Sequence, residues 1–213
     1  MWRELRIVFE RLGQQDGVRC VLVVGQGANF CAGGDISEYG TFRFEEASLR
    51  HFHEEEVWGA LHAMLQCDVP IVAHILGNCM GAGIEIASCC DIRLAAESAK
   101  FGAPIARLGF PMAPREAALV VRELGGATAR QMLLEAAVFS APEMLQRGFL
   151  SRVVADVDLA SVVHATLDRI AQLAPHAARL NKQTLRVLNS PPAHTIYAQA
   201  GSEDIADDPV AKL

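Results

Sequence analysis

A small-residue turn and a carboxylic acid lie close together near the middle of the chain. The turn is Gly81-Ala82-Gly83, it precedes a segment rich in Ile, Ala and Cys, and Glu85 lies three residues after Ala82. The first N–H groups of a helix have no intrahelical partner and lie at the positive end of its dipole, so they can bind an anion. Residues three apart share a helix face. We therefore predict an oxyanion donor at Ala82 with an acid/base group, Glu85, beside it.

The same segment also has a purely structural interpretation. Small residues at the start of a helix allow close packing, and Glu85 would then take part in an internal ion pair. Taken alone, the turn favours this structural interpretation. The chemical interpretation therefore needs support from other motifs in the chain.

Strands and helices alternate around this turn. Apolar, β-branched runs predict strands at 18–24, 69–76, 91–95 and 150–154. Periodicity and capping signals predict helices at 1–13, 45–66, from 81 onward, 114–124, 127–136, 141–148, 158–173 and 175–188. This order indicates a parallel sheet with crossover helices, followed by an all-helical C-terminal third. A glycine-rich loop at 25–35 follows the first strand, at the edge where α/β proteins bind ligands.

Composition limits the classes of partner. The chain has 213 residues, of which 51% are hydrophobic, so it can bury a full core in one domain or at most two. Its net charge of -6 argues against nucleic acid or an anionic membrane as the main partner, and any phosphate-bearing ligand must be held by local groups. Its apolar runs are too short to cross a bilayer and its N-terminal residues lack a signal-peptide core, so we expect a cytoplasmic protein.

The cysteines and histidines do not form a convincing metal site. The six cysteines contain no Cys-x-x-Cys pair and lie mostly in apolar segments, which is typical of buried thiols in a reducing compartment rather than of a disulfide or zinc framework. His51, His53 and His62 accompany the acidic run 54–56, but one solvated face of a helix explains them better than a set of metal ligands.

Two further enzyme classes are disfavoured by their missing motifs. Gly25 and Gly27 match the start of a dinucleotide-binding fingerprint, but Phe30 stands where its third glycine is needed, and the loop continues into Gly33 and Gly34 rather than a helix. The chain also has no nucleophile elbow of the kind that hydrolases use.

Several spaced motifs, in the same order, resemble the crotonase family of enoyl-CoA hydratases and isomerases. They are Phe30-Cys31-Ala32-Gly33-Gly34-Asp35-Ile36, the run 70–83, Glu85, Cys90-Asp91-Ile92, Phe101-Gly102-Ala103-Pro104, Ser140-Ala141-Pro142-Glu143 and the run 148–154. The resemblance is close over residues 1–155 and looser beyond them. It implies an α/β fold, a spiral of ββα units over 1–155, and a helical trimerisation region over 156–213. It also implies a homotrimer or a dimer of trimers.

The resemblance implies a site for acyl-CoA thioesters that stabilises an enolate. By position, the backbone N–H groups of Ala32 and Ala82 would form the oxyanion hole, and Glu85 matches one of the two catalytic glutamates of the hydratases. Gly33, Gly34, Asp35 and Ile36 would flank the CoA, and Gly81, Ile105 and Arg107 complete the expected contacts with substrate. No cofactor is implied beyond the CoA of the substrate, and no metal.

The chain departs from the family pattern where the second hydratase glutamate is expected. Ile105 occupies that position and cannot carry a proton, so a single carboxyl group favours a proton shift over addition of water. Glu116 could reach the site from the next helix, but we expect an exposed glutamate at a helix N-terminus. Arg107 faces either the acyl end or a CoA phosphate, or else it forms a surface ion pair.

These departures leave two classes of function open. The first is an enzyme that forms an enolate, by hydration, isomerisation, decarboxylation or thioester hydrolysis. The second is a catalytically degenerate member that binds acyl-CoA without turnover. The chain also starts and ends inside the usual span of the family, so we expect either a piece of a longer protein or a CoA pocket that lacks some segments.

Overall fold

The structure is a computed structural model, and it describes residues 1–35, 37, 40 and 44–189. The strands are β1 (Val21–Val24), β2 (Ile71–Ile75), β3 (Asn78–Met80), β4 (Ile92–Ala96), β5 (Lys100–Gly102), β6 (Val138–Ser140) and β7 (Arg152–Val154). The helices are α1 (Trp2–Gly13), α2 (Glu46–His51), α3 (Trp58–Gln66), α4 (Ala82–Ser88), α5 (Pro114–Leu124), α6 (Gly126–Leu134), α7 (Ala141–Gln146), α8 (Leu159–Ala171) and α9 (Pro175–Asn189). A π-helical turn, Phe52–Val57, joins α2 to α3.

The larger sheet contains four parallel strands in the order β1-β2-β4-β7. Its central strand β2 is apolar because both of its faces are covered. Ile71, Ala73 and Ile75 pack in the main core with α1 and α3, whereas Val72 faces a second cluster that includes Leu94 and residues of α8. The predicted parallel sheet with crossover helices is therefore confirmed, although the first strand begins three residues later than predicted.

A smaller sheet in the order β3-β5-β6 lies beside the larger one. Strands β3 and β5 are parallel and β6 is antiparallel to β5. The units β2-β3-α4 and β4-β5-α5 each place their first strand in the larger sheet and their second in the smaller one, which confirms the expected ββα spiral. Sequence patterning missed all three of these strands, because three residues are too few to show a period of two.

The helix predicted over 45–66 is present as α2, the π-helical turn and α3. A π-helical turn changes the direction in which the following side chains point, and such turns are common at functional sites. The turn contains His53, which is discussed below. Patterning predicted a regular helix here, because a π-helical turn leaves no distinct signal in the hydrophobic period.

The C-terminal helices are fixed to the core in different ways. Helix α8 covers the sheet through the second apolar cluster. Helix α9 is held at its polar side, where Lys182 pairs with Asp91 at 2.7 Å and Arg186 pairs with Asp68 at 2.7 Å.

The division of the chain at residue 155 stays a prediction. Among the residues that the structure describes, no helix combines the length and apolar character needed to cross a membrane.

Gly77, which links β2 to β3, has no room for a side chain. Its φ is +59°, and a Cβ atom there would lie 2.2 Å from the Ala28 carbonyl oxygen. We expect Gly77→Ala to lower the free energy of unfolding by roughly 3 kcal/mol, since backbone strain and overpacking add. Gly148 also has a positive φ, +80°, but open space around it, so Gly148→Ala should cost only about 1 kcal/mol. Equal losses in urea titrations of the two variants would contradict this account.

Candidate active site

Two backbone segments meet at the carboxyl edge of the larger sheet. The Cys31 N–H donates to the Asn78 carbonyl oxygen at 3.0 Å, and the Met80 N–H donates to the Cys31 carbonyl oxygen at 2.8 Å. These bonds fix the loop after β1 along β3. A Cβ atom at Gly83 would lie 3.0 Å from the Cys31 carbonyl oxygen, so only glycine allows this approach without displacing backbone. Ala32 and Ala82 therefore lie on neighbouring segments.

The N–H groups of Ala32 and Ala82 are available to a ligand. Gly81, with a φ of 51°, turns the chain into α4, and Ala82 is the first residue of that helix. Within the described residues, neither N–H donates a hydrogen bond. Both residues line the same cleft, which has a volume of about 480 Å³. A ligand in this cleft therefore has two unused N–H donors in the cleft wall.

Most of the predicted site residues line this cleft. They are Ala32, Gly33, Gly34, Gly81, Ala82, Glu85, Ile105 and Arg107. Asp35 is not among the lining residues, and its carboxylate instead accepts hydrogen bonds from the hydroxyl and N–H of Ser37, at 2.6 and 3.0 Å. Ile36 lies outside the described residues. The contacts of Asp35 and Ile36 with a ligand stay predictions.

Apolar side chains that sequence reasoning did not single out form the rest of the cleft wall. They are Trp2, Val57, Met80, Leu108, Phe110, Pro111 and Met112. These residues belong to α1, the π-helical turn, β3 and the segment before α5, which are separated in sequence. An apolar wall suits an acyl chain and excludes water from the groups beneath it.

Glu85 is buried and has no polar partner in the described part of the chain. It is 7% exposed, and its carboxyl group neither accepts a hydrogen bond nor pairs with a cation. Burial, followed by the charge of Glu116, raises the pKa of Glu85 well above the usual carboxyl value. The internal ion pair of the structural interpretation is absent from the described residues. The carboxyl group lines the cleft, its burial favours the neutral form, and a group of this kind suits proton transfer.

The expectation that Glu116 is exposed is wrong. Its residue is 2% exposed and lines the cleft with Glu85. The neighbouring Arg115 forms an ion pair with Glu54 of the π-helical turn at 3.1 Å. The His53 ring contributes Nδ1 at 2.8 Å from Glu116 Oε1. The site therefore contains a second carboxyl group, supplied by α5.

His53 was assigned to a solvated helix face, and this prediction is also wrong. Its side chain is 16% exposed and lines the cleft. A signal was available in the sequence, because His53 is in phase with the buried residues Val57, Ala60, Leu61 and Met64. Glu116 is likewise in phase with the buried residues Leu119, Val120 and Leu124. A polar residue on the apolar stripe of a helix marks a candidate site.

Arg107 lies in a single 3-10 turn, Ile105–Leu108, beside the cleft. It is exposed and pairs with no acidic side chain among the residues described. The surface ion pair considered from sequence is therefore absent there, and the guanidinium is free to meet an anion.

All six cysteines are free thiols. In the described ranges, no group of three or more His, Cys, Asp or Glu side chains could hold a metal ion.

The raised pKa of Glu85 predicts a pH-dependent penalty on stability. Between the ordinary carboxyl pKa and the raised one, the unfolded chain releases a proton that the folded chain retains, so stability falls as pH rises through this window. Glu85→Gln removes the titrating group. We expect this variant to melt at a higher temperature than the wild type at pH 7 to 8, with the difference vanishing near pH 4.

Thermal melting of both proteins from pH 4 to 8 measures this effect. Glu97→Gln, at an exposed position, is the matched control and should follow the wild type throughout. A constant difference between Glu85→Gln and the wild type across the pH range would mean that packing, not proton release, sets the effect.

Comparisons with known proteins agree with this arrangement. A family model described as enoyl-CoA hydratase/isomerase matches residues 1–202. A probable enoyl-CoA hydratase of Mycobacterium bovis is 32% identical over 182 residues, which are 85% of this chain and 69% of that protein. The crystal structure of an enoyl-CoA hydratase/carnithine racemase from Magnetospirillum magneticum is 34% identical, has a TM-score of 0.86, and is matched over 100% of this chain and 79% of its own. This chain therefore belongs to the enoyl-CoA hydratase/isomerase family.

Proposed function

We propose that this protein acts on acyl-CoA thioesters by stabilising the enolate that forms when a proton leaves or joins the α-carbon. The observation that supports this proposal most directly is the cleft in which two unpaired N–H groups, of Ala32 and Ala82, accompany the buried carboxyl group of Glu85. Membership of the enoyl-CoA hydratase/isomerase family supports the same substrate class.

The thioester oxygen accepts hydrogen bonds from both N–H groups. When the α-carbon exchanges a proton, negative charge moves to this oxygen, so donors already fixed in place stabilise the transition state more than the ground state. A single donor of this kind is worth roughly 10²- to 10³-fold in rate. Glu85, one helical turn from Ala82, carries the proton to and from the α-carbon.

The other lining residues suit the two ends of such a substrate. The apolar wall, which includes Trp2, Val57 and Met112, accommodates the acyl chain. Arg107 supplies a positive charge beside Gly33 and Gly34 for a CoA phosphate, which a protein of net charge -6 must attract through local groups. Asp35 and Ile36 extend this segment towards the CoA.

The proposal includes a homotrimer or a dimer of trimers. Helix α9 exposes the apolar side chains Leu185, Val187 and Leu188, which suit a surface between subunits. The alternative function, acyl-CoA binding without turnover, arises from Ile105 at the position of the second hydratase glutamate. The experiment on Glu85 separates this alternative from catalysis.

We expect Glu85→Gln to lose α-proton exchange. The measurement is deuterium uptake from D₂O into butyryl-CoA and octanoyl-CoA, followed by mass spectrometry. Loss of a general acid/base group typically lowers a rate by roughly 10²- to 10⁴-fold. Glu97→Gln, an exposed carboxyl replaced in the same way, should exchange at the wild-type rate.

Full exchange by Glu85→Gln would exclude Glu85 as the acid/base group. Binding of both thioesters by the wild type, measured by calorimetry, with no exchange in either, would support the non-catalytic alternative instead.

We expect Ala82→Pro to remove the proposed oxyanion donor. Proline lacks an N–H and is tolerated at the first position of a helix, which Ala82 occupies. The variant should exchange α-protons roughly 10²- to 10³-fold more slowly than the wild type. Ala82→Gly keeps the N–H and should remain within a few-fold of the wild-type rate. Similar rates for a folded Ala82→Pro and the wild type would remove Ala82 from the proposed mechanism.

A further inference from the structure

We propose that Glu116, positioned by His53, is the second acid/base group of this site and that it activates water for addition at the β-carbon of an enoyl-CoA. This inference rests on the proposed enolate function and specifies its reaction. It assigns to α5 a role that the family pattern would place at Ile105, where no proton carrier exists.

Glu116 satisfies the geometric conditions for such a role. It lies in the same cleft as Glu85 but comes from a different helix, α5 rather than α4. Its side chain is only 3% exposed, and burial of a carboxyl group is unfavourable unless the group is paired or has a function. The charges of the two carboxyl groups interact. The site thus has two carboxyl groups at different points along the substrate.

The partners of the two carboxyl groups differ, and this difference separates their roles. Glu116 Oε1 lies within hydrogen-bond distance of His53 Nδ1, at 2.8 Å. Glu85 has no donor within the described residues, and its burial favours the neutral form. We therefore assign the base to Glu116, which His53 orients, and the acid to Glu85, which has no polar partner among the described residues.

Their positions assign each group to a carbon atom. Glu85 shares α4 with the oxyanion donor Ala82, so it lies closest to the α-carbon, which is bonded to the thioester carbonyl carbon. Glu116 lies on the wall formed with His53, Val57 and Met112, and we place it beside the acyl chain beyond the α-carbon.

The proposed step is balanced in protons and electrons. Glu116 takes a proton from water, and the water oxygen forms a bond to the β-carbon. The electron pair of the double bond moves towards the thioester, and the oxygen held by Ala32 and Ala82 becomes the enolate oxygen. The enolate then collapses, and the α-carbon takes the proton from Glu85. Proton return from Glu116 to Glu85, directly or through solvent, restores the starting state.

His53 is a positioning residue in this scheme. The π-helical turn directs its Nδ1 at Glu116, and the Arg115–Glu54 ion pair fixes the same turn against α5. The sequence-based expectation that one carboxyl group favours a proton shift over addition of water does not apply, because the site holds two such groups.

The experiment measures two reactions of each variant. Hydration of crotonyl-CoA, followed by loss of the enoyl absorbance, needs both carboxyl groups, whereas α-deuterium exchange in butyryl-CoA needs Glu85 and the oxyanion hole. We expect Glu116→Gln to lose hydration by roughly 10²- to 10⁴-fold, and at least about 100-fold more than it loses exchange. Glu85→Gln should lose both reactions. Glu97→Gln, at an exposed carboxylate that does not line the cleft, should stay within about threefold of the wild type.

Variants of His53 separate positioning from general structural damage. The Asn side chain places an N–H where the His Nδ1 lies, so His53→Asn should keep most of the hydration rate. His53→Leu removes the donor and should lower kcat for hydration at least about tenfold, with little change in KM. Equal losses in His53→Asn and His53→Leu, or losses confined to KM, would overturn the positioning role.

Two outcomes would overturn the assignment of Glu116. One is hydration by Glu116→Gln within threefold of the wild-type rate, while Glu85→Gln is inactive. The other is exchange by the wild type without hydration of any enoyl-CoA from four to ten carbons long. Both results would leave the proposed enolate function intact. A wild type that neither exchanges nor hydrates would refute the enolate function itself.

Discussion

The contact between the loop after β1 and the start of α4 is the constraint on which the site depends. Reciprocal backbone hydrogen bonds of Cys31 to β3 bring the two segments together, and the absence of a side chain at Gly83 lets them approach. Because the proposed oxyanion donors are backbone N–H groups, the proposed chemistry requires small residues and a fixed path for the chain rather than particular side chains. Gly81, which turns the chain into α4, and Gly77, which links β2 to β3, meet the same requirement for a fixed chain path.

Burial of acidic groups in the cleft opposes folding and supports function. Glu85 has no compensating partner among the described residues, so its charged form is unfavourable in the folded state. Glu116 has one polar partner, His53, whose Nδ1 lies 2.8 Å from Glu116 Oε1. An arrangement that is costly to stability and useful for proton transfer is common at active sites. Among the described residues, the two carboxyl groups of this cleft thus have unequal partners.

The sheet and its crossover helices place these groups at one edge. The parallel strands β1, β2 and β4 end on the same side, and the ββα units there direct α4 and α5 towards a common cleft. Helix α1 and the π-helical turn complete the apolar wall. Membership of the enoyl-CoA hydratase/isomerase family and the geometry of the cleft are independent observations, and both support the proposed action on acyl-CoA thioesters.

The sequence by itself determined the family, the order of the helices and of the strands of the larger sheet, the turn at Ala82 and the candidate Glu85, because each depends on a local pattern or on motifs in a fixed order. It did not determine the three short strands of the smaller sheet, which contain too few residues for any period to appear. Only the tertiary structure showed that Glu116 and His53 line the cleft. They lie 63 residues apart, so no local pattern links them, and their meeting depends on a π-helical turn and on the packing of α5 against it.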